Sequence, residues 1–226
     1  HFAPKIVTWL DGYRHAASSD ESTLPVMPGD GRTSRHLPVD ISDESAMLLE
    51  TGGAVLHARR FLEGCGHFLI HNVDIFSNAD LGWLASQVRP ESLATLLVSE
   101  RETSRFLLFR PEDMSLVGWH NTNTGDYHLA DSSLNIEDCL AYGFSGIHIM
   151  SDKVFGLMDA YIKEKGLPAD EEVGTRFPIV DFYLWACSRA PIYGVEAQNL
   201  TFLDVGKMET IDRAEQLLKE ITLHLG

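Results

Sequence analysis

The chain has 226 residues, with 33 acidic against 18 basic side chains and a formal charge of −15. An acidic surface repels phosphate backbones and anionic headgroups, since nucleic-acid binding starts from a basic footprint that displaces counterions, so DNA, RNA and membrane surfaces are excluded as partners. Hydrophobic residues at 44% and charged ones at 23% describe a folded globular chain rather than a disordered one.

Cys65, Cys139 and Cys187 are widely separated and form no CxxC pair, which points to a reducing, cytoplasmic compartment without structural zinc. No apolar run reaches the roughly 18 residues of a spanning helix, and the amino end lacks the apolar segment of a signal peptide.

In chain order, Pro4 to Tyr13 places Ile6, Val7, Leu10 and Tyr13 on one helical face. A long polar loop over 14–36 follows, with Pro25, Pro28-Gly29 and Gly31 and no hydrophobic period; loops of this length are lids, binding loops or disordered segments. Strand and helix signals then alternate: a short strand near Leu37 to Ile41, a helix from Ala54 to Leu62, strand Phe68 to Ile70, a helix over Leu81 to Val88 and strand Ala94 to Ser99. Such alternation predicts βαβ units around a largely parallel sheet. Arg105 to Phe109, Leu116 to Trp119 and Tyr127 to Ala130, joined by polar turns, read as an antiparallel β-meander set into it. Helices return at Asp152 to Lys165, Pro178 to Ser188 and Met208 to His224, the last with Ile211, Ala214, Leu217, Leu218 and Ile221 at helical spacing. The fold class expected is a single α/β domain with an antiparallel excursion.

Four places could carry chemistry. Asp74, in Asn72-Val73-Asp74, emerges after the strand Phe68 to Ile70, where open α/β sheets bind ligands. Asp204 ends a second short strand, in Phe202-Leu203-Asp204-Val205-Gly206-Lys207. Either acid alone reads equally as a turn or helix cap. Together they offer the one or two carboxylates that magnesium takes when phosphates and water complete its octahedron. Glu50-Thr51-Gly52-Gly53 is a paired-glycine turn opening a helix, whose backbone N–H groups could meet an anion or a base edge. Gly146, in Phe144-Ser145-Gly146-Ile147-His148, either lets a ligand approach or marks a bulge; His148, between two isoleucines, reads as a structural core histidine.

Ile41-Ser42-Asp43-Glu44, Leu48-Leu49-Glu50-Thr51-Gly52-Gly53, Phe68 to Asp74, Ala94 to Ser99, Gly118-Trp119, Phe144 to His148, Asp181-Phe182-Tyr183-Leu184 and Leu203 to Lys207 form an ordered set. In this order they resemble the sugar-1-phosphate nucleotidyltransferases, particularly the branch similar to N-acetylmuramate-1-phosphate uridylyltransferase and mannose-1-phosphate guanylyltransferase. The resemblance implies a Rossmann-like nucleotidyltransferase fold and a Mg2+-dependent transfer from a nucleoside triphosphate to a sugar 1-phosphate, releasing pyrophosphate. It makes Asp74 and Asp204 the catalytic magnesium ligands, places Glu50, Thr51, Gly52, Gly53 and Asn72 at the nucleotide, and puts Gly146 and Asp181 at the sugar.

The family's opening strand, its glycine-rich loop with an arginine, and its Pro-Lys motif have no counterpart here. The expectation is therefore an amino-terminally truncated domain over 1–226 that does not turn over triphosphate alone. An open strand edge in such a domain invites pairing with a second copy as a homodimer. Two other readings stand beside this one: metal-dependent glycosyl transfer, and a non-catalytic regulatory module that binds a sugar nucleotide.

Overall fold

The computed structural model describes residues 5–8, 10, 39–170 and 173–205. The expected loop 14–36, residues Gly206 and Lys207 and the expected helix from Met208 to His224 lie outside the described residues, as does most of Pro4 to Tyr13, of which 5–8 and 10 are helical.

The elements are α1 (Glu50–His57), α2 (Arg59–Leu62), β1 (His67–His71), β2 (Ile75–Ser77), α3 (Leu81–Ser86), β3 (Ala94–Ser99), β4 (Arg105–Phe109), β5 (Leu116–Asn121), β6 (Tyr127–Leu129), β7 (Leu140–Ser151), α4 (Val154–Lys165), α5 (Ile179–Ala186), β8 (Ile192–Glu196) and β9 (Phe202–Asp204). Val39 to Ile41, expected to end a strand, carry no regular structure.

The main sheet is ordered β6-β5-β4-β7-β3-β8, with β1 also paired to β7, while β2 and β9 form a separate antiparallel ribbon. β1 and β3 both run antiparallel to β7 and on opposite edges of it, since Met150 faces Phe68 on one side and Ala94 on the other. β8 runs parallel to β3. So β1, β3 and β8 share a direction, as alternating strands and helices predict, but the inverted β7 is inserted between β1 and β3. The expected meander β4-β5-β6 is antiparallel throughout and joins the sheet where Leu107 to Phe109 pair with Leu140 to Tyr142.

β3 is buried at all six positions, which explains why it reads as an unbroken apolar run rather than an alternating one. Ala94, Leu96 and Val98 enter the larger core with Phe155, Met158, Phe182 and Tyr183 from α4 and α5. Leu97 points to the other face, with Leu84 of α3, Ile147 and Ile149.

Local chemistry sets the helix ends. Asp80 caps α3 by accepting from Trp83 N–H at 2.8 Å. α4 ends at Gly166 in the left-handed region (φ 61°), and Leu167 N–H reaches back to Ile162 O at 3.0 Å. α4 begins at Val154 rather than at the expected Asp152. The Asp152 carboxylate is engaged elsewhere, accepting from Gly64 N–H and Gly66 N–H, both at 3.1 Å, to hold the turn before β1.

α1 begins four residues earlier than expected, so Gly52 and Gly53 lie inside its first turns rather than in a turn ahead of it. Their role is close packing. Gly53 N–H donates to Phe177 O at 3.1 Å, and Phe177 N–H donates to Leu49 O at 3.1 Å. A Cβ at Gly53 would lie 2.1 Å from Thr175 O, and one at Gly52 2.5 Å from the Phe177 ring.

His148 is fully buried, stacked on Phe144 at 5.3 Å and edge-on to Tyr183 at 5.7 Å between ring centroids. Neither of its ring nitrogens has a hydrogen-bond partner in the protein, nor has the Tyr183 hydroxyl. Burial alone pushes the imidazole down from 6.5 to about 3, so it is a neutral core group, as the sequence pattern implies, but without the hydrogen bonds expected of a satisfied core histidine. Among the described residues no helix is long and apolar enough to cross a membrane.

Two outcomes follow from this packing. Gly53→Ala drives a methyl into backbone and should cost at least about 2 kcal/mol in urea unfolding. Gly156→Ala, in α4 with nothing within 4 Å of the added Cβ, should gain about 0.5–1 kcal/mol; equal effects of the two would contradict the packing described. For His148 the unfolded chain binds a proton below pH 6.5 that the native chain refuses until about pH 3. Native stability therefore falls as pH drops through that window, by at most about 4–5 kcal/mol from this group. His148→Leu, which removes the unpartnered ring nitrogens, should be at least as stable as wild type at pH 7 and show a flatter decline from pH 6.5 to 4. Parallel pH profiles would rule this out.

Candidate functional site

The two acids singled out in the sequence come together on the ribbon. Ile75 of β2 faces Asp204 of β9, and Val205 N–H donates to Asp74 O at 2.8 Å. Asn78 closes the other end of the ribbon: its Nδ2 donates to Asn199 O at 3.2 Å and its Oδ1 accepts from Thr201 N–H at 2.8 Å. Both carboxylates are exposed to solvent.

A bulge in β7 positions this corner. The pairing of β3 with β7 slips between Leu96 and Val98, where Ser145 Oγ donates to Leu97 O at 2.7 Å and accepts from Ile147 N–H at 3.2 Å. The serine hydroxyl thus replaces ladder bonds that the two extra residues of β7 break. Gly146 takes φ 77°, a conformation that favours glycine, and its carbonyl accepts from Asn72 N–H at 3.2 Å. Asn72 O then accepts from Ile75 N–H at 3.1 Å, a tight turn that puts Val73, 99% exposed, and Asp74 at its corner. Of the two readings of Gly146, the bulge is present, and the nearest atom to an added Cβ would be Asn72 Nδ2 at 2.9 Å.

Glu50, Thr51, Asn72, Asp74, Gly146 and Asp204 line one cleft of about 390 Å³. Glu50 enters α1 in the left-handed region, φ 61°, a conformation costing a non-glycine residue about 1–2 kcal/mol. Its Oε1 accepts from Arg176 Nε at 2.9 Å and Nη2 at 2.6 Å, which ties the mouth of the cleft to the segment leading into α5. Gly52 and Gly53 support this wall from behind and do not line the cleft. Asp181, in the first turn of α5, lines a neighbouring concavity of about 610 Å³ with Tyr161, Glu164, Lys165 and Trp185. Burial, then the Glu50 carboxylate, push its carboxyl above the ordinary value, against the pull of Lys165.

Sequence reasoning missed Arg101, which also lines the main cleft. It follows β3 without any motif, and only the fold brings it beside Phe144 and Phe202. Among the described residues no group of three or more His, Cys, Asp or Glu side chains is placed to hold a metal ion. The donor set here is two carboxylates, which fits a magnesium ion whose other ligands are phosphate oxygens and water, and does not fit a closed all-protein cage.

No protein-family model matches the sequence, and no curated protein matches it. Solved structures do. The chain is similar to the inositol-1-phosphate CTP transferase from T. maritima, with TM-score 0.52 and 13% identity over 76% of this chain and 62% of that one. It is also similar to apo-UDP-glucose pyrophosphorylase, with TM-score 0.51 and 16% identity over 76% of this chain and 61% of that one. The chain thus spans about three fifths of the length of either structure. At these identities the likeness establishes architecture: the chain has a mixed α/β, Rossmann-like nucleotidyltransferase fold.

Proposed function

We propose that this chain carries the carboxylate half of a nucleotidyltransferase site, for transfer from a nucleoside triphosphate to a sugar 1-phosphate. The observation that carries the reading is the convergence of Asp74 and Asp204, remote in sequence, on paired strands beside one cleft of a nucleotidyltransferase fold. In the reaction a phosphate oxygen of the sugar 1-phosphate attacks the α-phosphorus of the triphosphate. The bond from that phosphorus to the bridging oxygen breaks, and pyrophosphate leaves with the electron pair. The nucleophile is already an anion, so no strong general base is needed, and positioning with charge neutralisation is the main demand.

Asp74 and Asp204 would hold Mg2+, which when bound supplies Lewis-acid polarisation of the reacting phosphate and offsets its charge. The chain's own residues set the rest. The Ser145–Gly146 bulge and the Asn72–Ile75 turn keep the Asp74 backbone in register with Val205. The Arg176 contact holds Glu50, and with it the start of α1, at the cleft mouth. The resemblance in the sequence puts the nucleotide at Glu50, Thr51, Gly52, Gly53 and Asn72 and the sugar at Gly146 and Asp181; of these, Glu50, Thr51, Asn72 and Gly146 line the cleft.

The test is pyrophosphate release with the five common nucleoside triphosphates against a panel of sugar 1-phosphates in the presence of Mg2+. Where a substrate pair reacts, Asp74→Asn and Asp204→Asn should each lower kcat/KM by at least about 100-fold, the scale of a lost charge-stabilising metal contact, with unfolding curves close to wild type. Variants retaining more than about a tenth of the rate would sink the assignment.

A further inference from the structure

Arg101 stands in a slot built by three separate elements. Its Nη2 donates to Phe144 O at 3.0 Å, its guanidinium carbon lies 4.7 Å above the Phe202 ring, and its stem runs against Gly143. A Cβ at Gly143 would lie 2.5 Å from Nε and 2.6 Å from Cγ, so the missing side chain there is what makes room for the arginine. The residue is only half-buried and its side chain lines the cleft. Burial nevertheless pushes its pKa below the ordinary value, against the pull of the Asp204 carboxylate, and its Nε is buried without any hydrogen-bond partner.

A structural clamp between β7 and the link after β3 accounts for the bond to Phe144 O alone. It does not account for setting a cation in the wall of a cleft. Among the described residues lining the cleft Arg101 is the one basic side chain, against Glu50, Asp74 and Asp204. An anionic acceptor entering this cleft of a chain carrying −15 faces repulsion that, among the described residues lining the cleft, this guanidinium relieves. Arginine matches phosphate with parallel N–H donors. Its neighbours are Phe144, Phe202 and Asp204, whereas Glu50 and Thr51 belong to α1, and Glu50 is paired with Arg176. The guanidinium therefore serves the part of the cleft beside Phe144 and Asp204 rather than the Glu50 and Thr51 end.

We infer that Arg101 is the residue that binds the phosphate monoester of the acceptor, with Gly143 as the vacancy that lets it reach the cleft. The assignment to the acceptor rests on the nucleotidyl-transfer reading; binding of phosphate at Arg101 does not.

The first measurement is therefore direct. Inorganic phosphate is titrated into the 15N-labelled chain while the Nε–Hε signal of Arg101, identified by its loss in Arg101→Lys, is followed. That signal should move with saturation. Arg101→Ala and Gly143→Ala should each weaken phosphate binding by about 10-fold, the scale of one charge-assisted contact, with Gly143→Ala retaining its arginine but displacing it. An Arg101 signal that stays still while other arginine signals move, or phosphate affinity unchanged in both variants, overturns the proposal.

The second measurement uses whichever substrate pair the wild type turns over. Arg101→Ala should raise KM for the sugar 1-phosphate about 10-fold or more and leave KM for the triphosphate within about two-fold. A rise confined to the triphosphate overturns the acceptor assignment. If the wild type turns over no pair, calorimetric titration of glucose 1-phosphate replaces the kinetics, and an affinity unchanged in Arg101→Ala overturns the acceptor assignment.

Discussion

The inversion of β7 between β1 and β3 is the constraint on which the remainder of this molecule depends. A strand running against β1 and β4 on one edge and β3 on the other shares hydrogen bonds with all three, so an irregularity in it is transmitted to both edges. The irregularity is the Ser145–Gly146 bulge. On one side it forces the slip against Leu97, repaired by the Ser145 hydroxyl. On the other it turns the Gly146 carbonyl towards Asn72 N–H. From there the chain of cause is short: Asn72 closes the turn to Ile75, β2 pairs with β9, and Asp74 comes beside Asp204.

Packing around this strand explains why the bulge is tolerated. β7 is buried over most of its length, with apolar cores on both faces, so the local loss of ladder bonds is small against the apolar surface removed from water. The unpartnered His148 imidazole and Tyr183 hydroxyl are costs of the same region, each of about 1–3 kcal/mol. They are carried by aromatic contacts with Phe144 and Phe182.

Electrostatics divide the cleft. Among the described residues lining it, three carboxylates face one guanidinium, an arrangement that holds cations readily and phosphates only where charge is locally reversed. Glu50 is engaged by Arg176. Asp74 and Asp204 remain exposed at the ribbon, which is where a divalent cation and phosphate oxygens could complete one another's coordination. Asp181 feels the Glu50 carboxylate but does not line this cleft, because the first turn of α5 presents it to the neighbouring concavity.

The sequence by itself determined the elements whose signal is local. The apolar run Ala94 to Ser99 is β3 to the residue, the meander strands begin where their alternation begins, and the acids after Ile70 and Leu203 stand at strand ends. β2 and β8 went unread, since β2 has three residues and Gly194 interrupts β8 where the Phe109 ring packs against it. Tertiary structure alone decided four matters. Strand direction was one, because an inverted strand has the same hydrophobic pattern as a parallel one. The glycine pair at 52–53 was another, because its purpose is the approach of Thr175 and Phe177, distant in the chain. The separation of Asp181 from the cleft and the arrival of Arg101 within it were the others. Both depend on which surfaces meet across the fold, a property that no spacing along the chain encodes.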